Sequence, residues 1–212
     1  MISKKSGALT LAGLLMGAVF ALAPAPSALA QQPALVALRA TIQSIASNGA
    51  TLVIRRRSGE DATIRLTPDT PVTLVVRATL ADVKPGLFVG VAAAPGHGGA
   101  LSALEVHIFP EAMRGTGEGS RPFDLAPGSS MTNGAIEARV DAAAGSKLTV
   151  TYKGGMQSIV VPDTTPIVSI APGARTDLTP GAAIVARGVK GEDGVYDVRY
   201  ILVGKDGLTP PM

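Results

Sequence analysis

The chain has 212 residues, no cysteine, 3% aromatic residues and a formal net charge of +3. Without cysteine it has no disulfide staples, no thiol chemistry and no lipid-modified N-terminal cysteine. So small a charge excludes the strongly basic surface on which nucleic-acid binding rests.

Residues 1–30 read as a secretory signal peptide. Lys4 and Lys5 form its positive start, Leu9–Leu22 its apolar run, and Pro24 and Pro26 break that run before the small-x-small site Ala28-Leu29-Ala30. The run is shorter than the roughly 20 residues a bilayer span requires. Cleavage is predicted after Ala30, by the general secretory route because no twin-arginine pair is present, placing the mature chain in the periplasm or outside the cell. The leader takes two lysines with it, leaving 17 basic against 16 acidic residues. The mature part has no second long apolar stretch, so no transmembrane span is predicted for it.

Residues 31–110 alternate apolar and polar side chains at the period of a half-buried strand. Leu38, Ala40 and Ile42 are predicted to face inward, with Arg39, Thr41 and Gln43 outward. Asn48-Gly49 is a hairpin turn, after which Leu52 and Ile54, then Ala62, Ile64 and Leu66, continue the inner face beyond Ser58-Gly59. Pro68-Asp69-Thr70-Pro71 forces a corner. Thr79–Lys84 is a single helical turn closed by Pro85-Gly86. Leu87–Ala94 and Leu101–Phe109 are two further strands, joined by a loop that exposes His97. His107 is placed on the outer face of the second of them, as a surface or inter-barrel histidine.

A linker at 111–134, rich in Gly, Pro and Ser, then carries Glu111, Met113, Arg114, Glu118, Arg121, Phe123 and Asp124. A purely flexible tether needs neither the Phe and Met nor so many charges. A linker of this length is functional or disordered more often than not, and we read it as a strap with Phe123 and Met113 seated in a groove. These seven residues are the candidate partner- or ligand-binding set.

Residues 135–212 repeat the first unit. Pro71/Pro166, Asp82/Asp177 and Pro85-Gly86/Pro180-Gly181 all stand 95 residues apart. Ile136, Ala138 and Val140 are matched to Leu38, Ala40 and Ile42, with Ala144-Gly145 in place of the Asn-Gly turn. Leu148 and Val150 are matched to Leu52 and Ile54, and Ile159 and Val161 to Ile64 and Leu66. Val198, Tyr200 and Leu202 are assigned the inward places of Leu104, Val106 and Ile108. The predicted fold is all-β, two tandem small OB-like β-barrel domains of five to six strands, each wrapping its own interior. A two-sheet sandwich is the alternative.

Chemistry is sparse. Two histidines and no cysteine give no structural zinc motif, although His107, Met113 and Met131 form a soft donor set of the kind copper takes. Ser129 and Ser130 lack a nucleophile elbow. Gly115-x-Gly117-x-Gly119 runs into Ser120-Arg121-Pro122 rather than a helix, so it has no phosphate cradle. No carboxylate pair stands out. Tyr200 and Phe88 are assigned to the core, and Arg55-Arg56-Arg57 is offset by Glu60 and Asp61 across the turn. No catalytic residue and no cofactor is predicted. The reading is a non-enzymatic periplasmic or secreted binding or scaffolding module for an unknown periplasmic protein or small ligand, with no nucleic-acid partner. An envelope metal-handling accessory for copper or zinc is the alternative, and a hydrolase stands third.

Leu66-Thr67-Pro68-Asp69-Thr70-Pro71, Leu80-Ala81-Asp82-Val83-Lys84-Pro85-Gly86 and the Phe109–Met131 strap together resemble a family of uncharacterised proteobacterial exported proteins. The resemblance covers essentially the whole mature chain. It implies a small OB-like domain in the cell envelope, occurring singly or in tandem. Some relatives carry the label metal transporter permease, whose permease half conflicts with the lack of apolar spans here. No binding or catalytic residues are carried over from it.

Overall fold

The structure, a computed structural model, describes residues 34–142 and 145–212. The predicted signal peptide, Ala144 of the expected second turn and the side chain of His97 lie outside what is described. Thirteen strands and a few single turns of 3-10 helix make an all-β fold. The first six strands are β1 (Val36–Ile45), β2 (Thr51–Arg56), β3 (Asp61–Arg65), β4 (Val72–Arg77), β5 (Phe88–Pro95) and β6 (Leu101–Ile108). A short β7 (Gly119–Pro122) lies in the strap. Then come β8 (Ser130–Val140), β9 (Ser146–Tyr152), β10 (Gly155–Val161), β11 (Ile167–Pro172), β12 (Ala183–Lys190) and β13 (Tyr196–Gly204). The strap is thus shorter than the predicted linker, because Ser130–Gly134 already belong to β8 and pair with β5.

All thirteen strands join one continuous sheet that contains two closed circuits of hydrogen-bonded neighbours. In the first, β1 pairs β2, β2 pairs β3, β3 runs parallel to β13, and β13 returns through β12 to β1. In the second, β8 pairs β9, β9 pairs β10, β10 runs parallel to β6, and β6 returns through β5 to β8. Between them β4 and β11 pair antiparallel, β4 beside β13 and β11 beside β6.

Each circuit therefore takes three strands from one half of the chain and two from the other. Neither half wraps an interior of its own, contrary to the expectation from alternation. The cause is the path at the two proline corners. Ile201 N–H bonds the Pro71 carbonyl and Val106 N–H the Pro166 carbonyl, both at 3.0 Å, so β4 and β11 run outward beside the other half's last strand. The pairings recur with the halves exchanged: Val72 faces Ile201, and 95 residues on from Val72, Ile167 faces Val106.

The apolar clusters follow the circuits. Leu38, Ile42, Leu52, Ile54 and Ile64 pack with Ile184, Ala186, Ile201 and Val203. Val89, Val91 and Val106 pack with Ile136, Leu148, Val150 and Ile159. Each such leucine, isoleucine or valine, fully buried, contributes about 1.5–3 kcal/mol. A third cluster of Val75, Val168, Ile170 and Leu208 lies on the β4–β11 pair, with Met113 and Phe109 against it.

Four of the expected facings are corrected, each beside a β-bulge. Gly86 N–H bonds the Ile136 carbonyl as Gly181 N–H bonds that of Ile42, so Ile136 holds the place of Ile42, not that of Leu38. Val140 is then 61% exposed. The register between β12 and β13 shifts at Arg187/Gly188, and that between β5 and β6 at Ala92/Ala93. One extra residue changes which side chains point inward. Leu104 consequently sits half-buried at its bulge, Tyr200 is 37% exposed, and Ile201 and Val203 rather than Leu202 turn inward.

Candidate functional site

Beyond its bulge, β6 sends Val106 and Ile108 into the second circuit's interior, leaving Glu105, His107 and Phe109 on its outer face. That face is covered. Phe109 stacks at a tilt on Phe88, with ring centroids 5.7 Å apart, so Phe88 is buried, but outside the circuit. Glu105 is 0% exposed and His107 4%. His107 Nε2 lies 3.1 Å from Glu105 Oε1, yet the contact lacks hydrogen-bond geometry. Both Glu105 oxygens, His107 Nε2 and Asn133 Oδ1 are buried without a hydrogen-bond partner.

The register explains why these groups share one place. Gly90 of β5 lies between His107 of β6 and Asn133 of β8, and Ala92 between Glu105 and Met131. Two small residues thus form a floor with larger side chains on both sides. Asn133 Nδ2 donates to the Thr116 carbonyl at 3.0 Å, which turns its oxygen toward Gly90. A methyl on Gly90 would stand 2.9 Å from Asn133 Oδ1, 3.0 Å from Phe109 Cε2 and 3.5 Å from Met131 Sδ. Of the three soft donors, His107 and Met131 share this face, whereas Met113 packs on the apolar cluster of the β4–β11 pair.

The strap is fastened along its length. Glu111 and Arg114 form an ion pair that holds the Glu111 carboxyl below its ordinary range, and Arg114 also bonds the Gly86 carbonyl at 2.9 Å. Glu118 Oε1 accepts the Lys153 N–H at 2.9 Å, and Arg121 Nη1 donates to the Gly117 carbonyl at 2.7 Å. Ser129 Oγ bridges the carbonyls of Phe123 and Ala126. Asp124 reaches the outer face of the first circuit, where Arg39 donates to it from Nη2 at 3.0 Å and Nη1 at 3.3 Å. Those bonds hold the Asp124 carboxyl below its usual range. Arg187 stands 3.9 Å from the same carboxylate.

The structure therefore separates the seven candidate residues. Glu111, Met113, Arg114 and Glu118 hold the strap down and Arg121 braces it internally, whereas Phe123 and Asp124, with Pro122 and Arg187, line a cleft of about 390 Å³. Half-exposed Tyr200 lies across the strand pair from Arg187. A larger cleft of about 530 Å³, between the 176–182 turn and the 204–207 turn, is lined mainly by backbone and small side chains, with Asp177, Lys205 and Asp206. Sequence reading missed Arg39, Arg187, Glu105 and Asn133. Glu105 was within reach of it, since residues two apart on a strand share a face.

Among the described residues no three His, Asp or Glu side chains converge, and no helix is long and apolar enough to cross a membrane. Comparison with known proteins finds no family model, curated protein or solved structure that matches the chain.

Proposed function

We propose that this chain is a non-enzymatic, exported binding module, built as two small OB-like barrels from duplicated halves that exchange strands. It captures a partner bearing carboxylates in the Phe123–Asp124–Arg187 cleft. The observation that carries this reading is Asp124, a strap carboxylate seated on Arg39 beside an aromatic wall with Arg187 only loosely engaged. Two guanidiniums face one carboxylate, so the face has one cationic charge in excess. A half-exposed ion pair is worth only about 0.2–1 kcal/mol, so a partner's carboxylate can displace Asp124 at small cost. Arginine suits the task because its planar fork takes a carboxylate in two bonds.

The test is a thermal-shift titration with acidic and basic peptides of equal length. Acidic peptides should raise the melting point by mass action, and Arg187→Ala and Phe123→Ala should abolish the response while Arg121→Ala keeps it. Equal response to both peptide classes, or an undiminished response in Arg187→Ala, would overturn the reading.

A further inference from the structure

We infer that the outer face of β5, β6 and β8 holds a site for a divalent first-row transition-metal ion, with His107 Nε2 and a Glu105 carboxylate oxygen as its principal donors. Asn133 Oδ1 and Met131 Sδ stand across the Gly90–Ala92 floor to complete the set. The site shares no residue with the Phe123–Asp124–Arg187 cleft, so the two ideas stand or fall separately.

Burial and donor chemistry carry the argument. A carboxylate with no exposure and no hydrogen-bond partner on either oxygen is costly, because an unsatisfied buried polar group loses about 1–3 kcal/mol and a charged one more. Here that cost is concentrated: two carboxylate oxygens, one amide oxygen and one ring nitrogen are orphaned on a single face. An ordinary polar network mixes donors with acceptors. This group offers lone pairs and is short of hydrogens. A carboxylate only accepts, a thioether is a weak acceptor, and Asn133 turns its amide nitrogen to the Thr116 carbonyl and its oxygen to this face. Of the imidazole, the nitrogen beside Glu105 is Nε2, and it is not aligned to donate there. What several lone pairs can share is a cation.

The spacing agrees. Bonds of about 2.0–2.1 Å from a tetrahedral ion to nitrogen and oxygen put those two ligands about 3.3 Å apart. His107 Nε2 and Glu105 Oε1 are 3.1 Å apart, without hydrogen-bond alignment. Imidazole with oxygen and one thioether suits copper(II) or zinc(II) better than calcium or magnesium, which prefer oxygen alone. Gly90 is integral to the site, since any side chain there would collide with Asn133 and Phe109. Thr116 of the strap accepts from Asn133 Nδ2, so the strap fixes which way Asn133 Oδ1 points.

The test is calorimetric titration of tag-free protein with Zn(II) and Cu(II), and Co(II) absorption as a report on ligand geometry. One ion per chain should bind, with a rise in melting temperature. Glu105→Gln and His107→Ala should each weaken binding by about tenfold or more, whereas His97→Ala and Met113→Ala should leave it unchanged. If His107→Ala does not fold, Asn133→Ala should still lower the affinity and alter the cobalt spectrum. Absence of binding at about 100 μM ion, or binding lost in His97→Ala and kept in His107→Ala, would overturn the site. A response to acidic peptides without any metal binding would sink this inference and leave the cleft reading standing.

Discussion

The charged side chains of this protein do their work at turns and straps, and their titration follows from that. Asp82 accepts the hydroxyl and N–H of Thr79, both at 2.8 Å, and these bonds hold its carboxyl below the ordinary range. Glu111 is lowered by Arg114, Asp124 by Arg39, Asp141 by Arg139 and then Ser146, and Asp193 by Arg65. A depressed folded pKa stabilises the native state above the unfolded value of about 4 and loses that contribution as pH falls through the folded value. Thermal melts should therefore be flat with pH above about 5 and decline below about 4. Thr79→Ala, which removes the leading cause of the shift at Asp82, should flatten part of that decline. An acid-insensitive melt would show that these pairs contribute nothing.

At the scale of strands, bulges decide which side chains are inside. Ile201 is fully buried and Tyr200 is not, because Arg199 is the extra residue where β13 slips against β12. Truncating Ile201 to alanine should cost about 2–5 kcal/mol, whereas Tyr200→Ala should cost less than about 1 kcal/mol, as surface changes do. Denaturant melts check both, and the reverse order would restore the unbroken alternation. The turns between β1, β2 and β3, and most inner positions of β1 to β3, β9 and β10, were legible in the sequence. There Asn48-Gly49 and Ser58-Gly59 punctuate clean two-residue periods, and Leu52, Ile64, Leu148 and Ile159 are all wholly buried. Periodicity carries no mark of an inserted residue, so Val140, Tyr200 and Leu202 were assigned the wrong side. The candidate site was less legible. His107 and Met131 were singled out as soft donors, but Asn133 lay in what read as linker, and the two-residue spacing of Glu105 and His107 does not show that their shared face is buried.

For the whole molecule, the partner of each strand matters more than its face. Alternation indicates that a strand has an inner side without saying which other strand lies alongside. A repeat at constant spacing suits two self-contained halves and two exchanging halves equally well. The circuits require exchange, since the first interior needs Ile184, Ala186, Ile201 and Val203 from the far end of the chain. Residues 31–129 or 130–212 expressed alone should accordingly lack a cooperative thermal transition, and mixing the two pieces should restore one. Two independently melting pieces would refute the exchange.

Closure of the first circuit brings a strand that begins at Val36 beside one that begins at Ala183. Nothing local can stand in for that pairing, so the N-terminal sheet stays incomplete until the final hairpin has been made, and assembly dominated by such distant partners is slow. A polypeptide of this kind keeps itself open while it is being synthesised. On the exported reading proposed above, the chain is threaded through a membrane before it folds, and such built-in delay is an advantage.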